Sequence, residues 1–345
     1  MKLPLRILLD HASDNNYALP AFNVITLEHV HALFQTANKL EAPLLIAFSR
    51  SARKVMNDTF IRSICDAAEQ EYPNVPFAIH QDHGNSFATC ATALNNGFTS
   101  VMMDGSLNED GKTPSSYEYN SEVTKKVVDL AHSLGASVEG ELGVLGSLET
   151  GKGDQEDGHG ADMELSNEQL LTDPQQAADF VKYTNVDCLA VAIGTSHGAY
   201  KFTHRPRGDI LAIDRIKKIS QATGGTPLVM HGSSSVPQEL QDMLNQFGGE
   251  IKQTYGVPIE EIQEGIKNGV RKVNIDTDLR MAFTAEIRKF FIENPSEFDI
   301  KKYMLLAREG LMKIAHNRME KFYCTGQANT IKPQSLNKFI SFYED

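Results

Sequence analysis

No run of about 20 apolar residues occurs in the 345-residue chain, so no segment reads as a membrane-spanning helix. The opening residues, MKLPLRILLDHASDNN, hold only a short apolar stretch before an acidic residue, which predicts no secretory signal and a cytoplasmic location. Cysteine is scarce. Cys65, Cys90, Cys188 and Cys324 are widely spaced and form no Cys-x-x-Cys pair, which argues against a disulfide scaffold or a thiolate metal site. Blocks of one charge are missing as well: 45 acidic and 33 basic residues give a formal net charge of -12 without a run of five like charges. A nucleic-acid surface therefore has no support, while a local basic pocket for a phosphorylated metabolite stays compatible with the sequence. The strings GxxxxGK[ST] and GxGxxG are both absent, which removes the P-loop and dinucleotide fingerprints.

What is present is a chain with 41% hydrophobic residues, enough for a large buried core in one domain spanning residues 1–345. Eight short apolar or β-branched runs recur, at residues 19–24, 43–49, 76–79, 100–103, 137–142, 188–193, 227–230 and 270–275. Helical periodicity separates most of them, over 27–40, 58–71, 86–95, 116–134, 173–183, 213–223 and 258–268. Alternation of this kind predicts parallel β/α architecture, and eight strands favour a closed (β/α)₈ TIM barrel over an open doubly wound sheet. Two additions are expected. Residues 140–160 contain seven glycines and five carboxylates and read as a glycine-rich active-site loop or a solvated insertion. Residues 279–293 and 300–322 read as amphipathic helices of a C-terminal extension, about 279–345.

The unusual polar groups fall at predicted strand ends, where a barrel builds its active site. His80, Asp82 and His83 follow the third strand and Asp104 the fourth. Glu139 and Glu141 lie in the fifth, His197 follows the sixth, His231 ends the seventh, and Asn274, Asp276 and Asp278 end the eighth. Three histidines from separate strand ends suit a catalytic Zn²⁺ with an open coordination position; on placement alone, His80 competes with His83. Asp82 and His83 are adjacent, so regular strand geometry points them to opposite faces unless a terminal turn intervenes. Glu139 and Glu141 can share one face, where a cation would offset their repulsion. Glu156, on the glycine-rich loop, reads either as a mobile base or as a solvated charge. Gly198, Gly232 to Ser235 and the NIDTD run offer backbone N–H groups and hydroxyls for a phosphate. Lys272 sits in a strand, but nothing marks it as a Schiff-base nucleophile.

Taken together, the strings HQDHGNSFATC, GFTSVMMDGSL, SVEGELG, QEDGHG, AIGTSHGAYKF, VMHGSSSVP and GVRKVNIDTD closely resemble class II fructose-1,6-bisphosphate aldolase, over residues 17 to 330. The resemblance implies a dimeric or larger metal-dependent barrel enzyme that acts on phosphorylated ketose and triose substrates through a Zn²⁺-stabilised enediolate. It implies that His83, His197 and His231 hold Zn²⁺ and that Glu141 approaches the metal when substrate is away. Asp82 would handle the proton at the aldehyde oxygen, and Glu156 would be the base on the three-carbon ketose. Asn23, Ser49 and Asn274 match substrate-contacting positions. Gly198, Gly232, Ser234, Asp276 and Thr277 match a phosphate site that also accommodates a monovalent cation such as K⁺ or Na⁺. Where the family often has an arginine for the distal phosphate, FDIKKY offers Lys301, which keeps the charge but loses the bidentate fork. A related aldolase acting on tagatose 1,6-bisphosphate would share the same groups. A sugar-phosphate sensor would not need acid, base and metal ligands together.

Overall fold

The computed structural model describes residues 1–110, 112–143, 146, 170–202, 204–206, 210–332, 336–341 and 343. Eight parallel strands pair in chain order, and the last pairs with the first, closing a barrel. They are β1 (Leu19–Asn23), β2 (Leu44–Ser49), β3 (Phe77–Gly84), β4 (Ser100–Met103), β5 (Ser137–Leu142), β6 (Cys188–Val191), β7 (Leu228–Met230) and β8 (Val270–Ile275). Around them run α1 (Leu5–Asp14), α2 (Leu27–Leu40), α3 (Arg50–Met56), α4 (Asp58–Glu71), α5 (Phe87–Asn95), α6 (Tyr117–Ser133) and α7 (Pro174–Thr184). The chain continues with α8 (Ile213–Ala222), α9 (Gln238–Gln246), α10 (Ile259–Lys267), α11 (Thr277–Glu293), α12 (Ile300–Lys321) and α13 (Leu336–Ser341).

The expected barrel and its added C-terminal helices are present, α12 packing on both α11 and α2. Local chemistry sets the helix starts. Ser86 and Ser116 accept from the backbone N–H three residues on, and Asp173 accepts from Gln175 and Gln176 with Pro174 at the first helical position. Gly97, Gly135 and Gly269 end helical runs with a left-handed φ shortly before a strand. Three helices, α1, α3 and α9, were not expected. The short apolar stretch near the start is α1, whose Leu5, Leu8 and Leu9 are fully buried. The helix α3 is only seven residues long, and α9 reads QELQDMLNQ, with only Gln241 and Leu244 buried. Among the described residues, no helix is long and apolar enough to cross a membrane.

One strand boundary bears on function. The apolar run of β3 stops at Ile79, yet the strand continues to Gly84, so His80, Asp82 and His83 lie inside β3 rather than after it. Hydrophobicity could not mark this extension, because it is carried by polar residues, of which His80, Gln81 and Asp82 are buried.

Candidate metal centre and active site

Parallel pairing without slippage keeps side chains of equal parity on one face. The register Asn23↔Ala47, Ala47↔His80, Ser49↔Asp82, Ala21↔Asn274 and Leu19↔Lys272 therefore aligns Asn23, Ser49, His80, Asp82, Lys272 and Asn274 toward the barrel axis. Glu139 and Glu141 alternate in the same way on β5.

His83 would face the helices by alternation alone. The ladder breaks first: Gln81 pairs with Val101 and Gly84 with Met103, so Asp82 and His83 together oppose the single residue Met102. This bulge, with His83 at φ +49°, turns two consecutive side chains into one cavity. A non-glycine residue in left-handed backbone costs on the order of 1 kcal/mol. Gly84 completes the bulge, since a Cβ there would lie 2.6 Å from the Met102 carbonyl oxygen.

His83, His197 and His231 each offer a ring nitrogen within 4.8 Å of the others. His83 Nε2 and His231 Nδ1 are 3.0 Å apart, close to the separation of two ligands each about 2.0–2.1 Å from one Zn²⁺. The outer nitrogens are engaged: His83 Nδ1 lies 3.0 Å from Asp104 Oδ2, and His231 Nε2 lies 2.9 Å from Glu139 Oε1. Carboxylates on the far side of both rings hold the N–H outward and leave the inner nitrogens facing each other, an arrangement that calls for a cation or a shared proton between them. Burial disfavours charge on His83, but its bond to Asp104 and the charges of Asp82 and Glu141 outweigh that, and its pKa is pushed up to about 10. Burial dominates at His231 and lowers it to about 4, the neutral state that suits a ligand.

Glu141 completes the picture from β5. Its Oε2 is buried without a hydrogen-bond partner, and its carboxylate forms a second cluster with His83 and Asp104. Burial, then the neighbouring charge of Asp104, pushes its pKa well above the ordinary carboxylate range. A divalent ion would relieve both conditions, so the donor set fits the expected metal.

His80 is not part of this cluster. It lies deeper and fully buried, Nδ1 2.9 Å from Ser100 Oγ and Nε2 3.4 Å from Glu139 Oε2; burial and Lys272 lower it to about 3. Lys272, equally buried, places Nζ 2.8 Å from Glu139 Oε2. Although burial raises a carboxyl pKa, Lys272 and His231 hold Glu139 ionised at about 2. Removing one partner of a buried ion pair typically costs about 3–5 kcal/mol. Lys272→Met is expected to lower the unfolding free energy by about that amount in chemical denaturation of the metal-free protein. A loss below about 1 kcal/mol would mean that water or rearrangement solvates Glu139 instead.

Asp82 is the hub beside the histidines. Its two carboxylate oxygens accept from Asn23 Nδ2 and Asn274 Nδ2, each at 3.0 Å, and Asn274 Nδ2 lies 3.3 Å from His231 Nδ1. Burial opposes its ionisation, but His83 and Lys272 hold it well below the usual carboxylate range. Ser49, whose Oγ caps α3 by accepting from Ala52 N, is its register partner on β2.

Next to Asp82 opens a narrow cleft of about 20 Å³, lined by residues that include Gly198, Lys201, Gly232, Ser234, Asp276 and Thr277. The five residues expected at a phosphate site thus share one cavity, flanked by the first turn of α11, a place where backbone N–H groups favour an anion. Gly232 allows β6 and β7 loops to touch: its φ is +63°, and a Cβ would lie 2.5 Å from the Ser196 carbonyl oxygen. Asp278 fixes the same loop from below, accepting from Val236 N at 2.9 Å and from Arg318 Nη2 at 2.8 Å.

Lys201 was missed by the sequence reading. It is 4% exposed, and its Nζ donates to Ser196 O at 2.5 Å. Its only signal was a cation four residues after His197 in GTSHGAYK. Asp276 forms a fork with Arg280, Oδ1 to Nε at 2.8 Å and Oδ2 to Nη2 at 2.6 Å. Glu156 lies outside the described residues. Lys301 is 83% exposed in the first turn of α12, 3.5 Å from Asp299, and is not among the residues lining the cleft.

Comparisons agree with this geometry. Residues 4–327 match the family described as fructose-bisphosphate aldolase class-II. The chain is 57% identical to a fructose-bisphosphate aldolase of Xanthobacter flavus, covering 98% of this chain and 96% of that one. It is 54% identical to a plasmid-encoded fructose-bisphosphate aldolase of Cupriavidus necator, covering 99% of each. Among solved structures, the YdjI aldolase of Escherichia coli K12 superposes with a TM-score of 0.71 at 26% identity, over 95% of this chain and all of the other. With a closed barrel, three histidines converging at its strand ends and matches spanning nearly its whole length, the chain belongs to the class II fructose-bisphosphate aldolase family.

Proposed function

We propose that this chain catalyses reversible aldol cleavage of fructose 1,6-bisphosphate to dihydroxyacetone phosphate and glyceraldehyde 3-phosphate, as one catalytic unit over residues 1–345. The observation that carries the reading is the convergence of His83, His197 and His231 beside Asp82, with the Gly198–Gly232–Thr277 cleft adjoining. Those three histidines would hold Zn²⁺, with Glu141 as the exchangeable carboxylate. Bound there, the ion supplies Lewis-acid stabilisation of negative charge developing on the ketose oxygens.

The remaining work falls to the chain itself. Gly198, Gly232, Ser234 and Thr277 surround a substrate phosphate, and Lys201 provides the buried cation that the phosphate charge requires. A monovalent cation such as K⁺ or Na⁺ beside the same phosphate belongs to this reading. Asn23, Ser49 and Asn274 orient the substrate's hydroxyls around Asp82. In the synthetic direction Glu156 takes the carbon-bound proton of the three-carbon ketose, and Asp82 delivers a proton to the oxygen of the aldehyde as the new bond forms. Cleavage runs the same transfers backward, Asp82 taking the hydroxyl proton. Distal-phosphate binding by Lys301 belongs to a homodimer or larger homo-oligomer; its exposed neighbours Phe298 and Ile300 offer apolar surface for such a contact.

Incubating the metal-loaded protein with fructose 1,6-bisphosphate should release both triose phosphates; a folded, metal-loaded protein without turnover sinks the assignment. Condensation with defined aldehydes, read by product stereochemistry, separates a tagatose 1,6-bisphosphate enzyme from this one. Glu156→Gln is expected to slow exchange of the dihydroxyacetone phosphate C–H proton together with condensation, while metal and ligand binding persist. Proton exchange at the parent rate with failed condensation would take the base assignment away from Glu156.

A further inference from the structure

The bulge in β3 leaves a backbone problem that the ladder does not solve. Between the paired positions Gln81 and Gly84, β3 has one residue more than β4, so a carbonyl is left to find a donor elsewhere. Gln81 supplies it from its own side chain, Nε2 donating to Asp82 O at 2.7 Å. The other end of that amide is also fixed, Oε1 accepting from Arg53 Nη1 at 2.5 Å. Gln81 is fully buried.

Arg53 is held on every side. It forks onto Asp58, Nε to Oδ1 at 2.7 Å and Nη2 to Oδ2 at 2.6 Å. It also donates to Thr89 O and Thr92 Oγ1, each at 3.1 Å, and its guanidinium lies 5.3 Å from the centre of the Phe98 ring. A cation fixed by this many partners cannot follow Gln81 if the strand moves; it anchors the amide instead. The chain Asp58–Arg53–Gln81–Asp82 thus runs from the start of α4, through α3, to the backbone carbonyl between Asp82 and His83.

We propose that Gln81, anchored by Arg53, is a positioning residue that locks the β3 bulge and so points Asp82 and His83 into the same cavity. At this length an amide accepts from Arg53 and donates to a carbonyl at once, in its one uncharged state. A carboxylate keeps the first bond and turns the second into repulsion; a thioether loses both. The proposal rests on the assignment of His83 as a metal ligand, so the test includes a variant that checks that assignment separately.

The test measures Zn²⁺ affinity of the metal-stripped protein by competition with a chromophoric chelator, and the visible spectrum after Co²⁺ loading, for the parent, Gln81→Glu and Gln81→Met. Changes to groups that orient metal ligands commonly weaken affinity about 10–100-fold. That loss is expected in both variants, with altered Co²⁺ bands and lower kcat, in metal-free proteins that still unfold cooperatively at midpoints lowered by the buried hydrogen bonds they lose. Parent-like affinity and Co²⁺ spectrum in Gln81→Glu would overturn the proposal. Should the Gln81 variants not fold, Arg53→Lys reads the same link from its anchor: it keeps charge opposite Asp58 but loses the fork, and unchanged Zn²⁺ affinity there also overturns the idea. His83→Ala is the control, because undiminished metal affinity in that variant would refute the ligand assignment rather than the role of Gln81.

Discussion

Turnover will fall below detection when the divalent ion is stripped from the protein, and Zn²⁺ will restore it. The carbon-bound proton of a ketose is far too weakly acidic for a carboxylate acting alone, and the cluster of His83, His197 and His231 is where a divalent ion would supply the Lewis acid that the developing oxygen charge needs. The same reasoning divides the labour among residues. His231→Ala should lose metal far more readily than Glu156→Gln, because His231 Nδ1 faces His83 Nε2 at 3.0 Å while its other nitrogen is locked by Glu139. Metal content by elemental analysis, alongside rates, decides the matter. Full turnover after demonstrated removal of all divalent metal would rule out the mechanism, and equal metal loss in the two variants would undo the division.

Asp82→Ala is expected to cost about 10²–10⁴ in turnover, the usual contribution of one well-placed acid or base, with the metal retained. Asp82 is buried, lies beside the cluster and is held ionised, the state from which it would take the hydroxyl proton in cleavage. Alanine also removes the acceptor shared by Asn23 and Asn274. Asp82→Asn is therefore the sharper companion, keeping the volume and one acceptor oxygen while losing the proton-transfer group. Metal content and the folded spectrum should be recorded with the kinetics. Near-parent rates in a folded, metal-loaded Asp82→Asn would remove Asp82 from the chemistry.

The barrel was legible because its signal is periodic and repeated: eight apolar runs alternate with stretches of helical periodicity, and strands and helices form where they fall. The three histidines that the structure brings together were legible because the sequence places each near the end of an apolar run, next to a glycine. Geometry that depends on one irregular hydrogen bond was not. Nothing in HQDHG announces a bulge between Gln81 and Gly84, and without it Asp82 and His83 point apart. The choice between His80 and His83 was open for the same reason, since both are polar residues of one strand and only depth within the barrel separates them. Lys201 escaped notice because a single lysine in a loop carries no periodicity; burial against Ser196 gives it meaning. Arg53 and Gln81 were invisible in principle, being 28 residues apart and joined only through space.

The distribution of the site along the chain has a consequence for how the protein acquires its shape. His83 and His231 are separated by 148 positions, and Asp82 and Asn274 by 192. No half of the barrel holds all three of His83, His197 and His231, so a metal ion held by that cluster would have to wait until β3, β6 and β7 are docked in one ring. Contacts of such sequence separation form slowly, since the intervening chain loses its freedom before they reward it. A Co²⁺ spectrum followed during refolding would therefore develop as the final phase, after helix content has returned, and would serve as a clock for barrel closure.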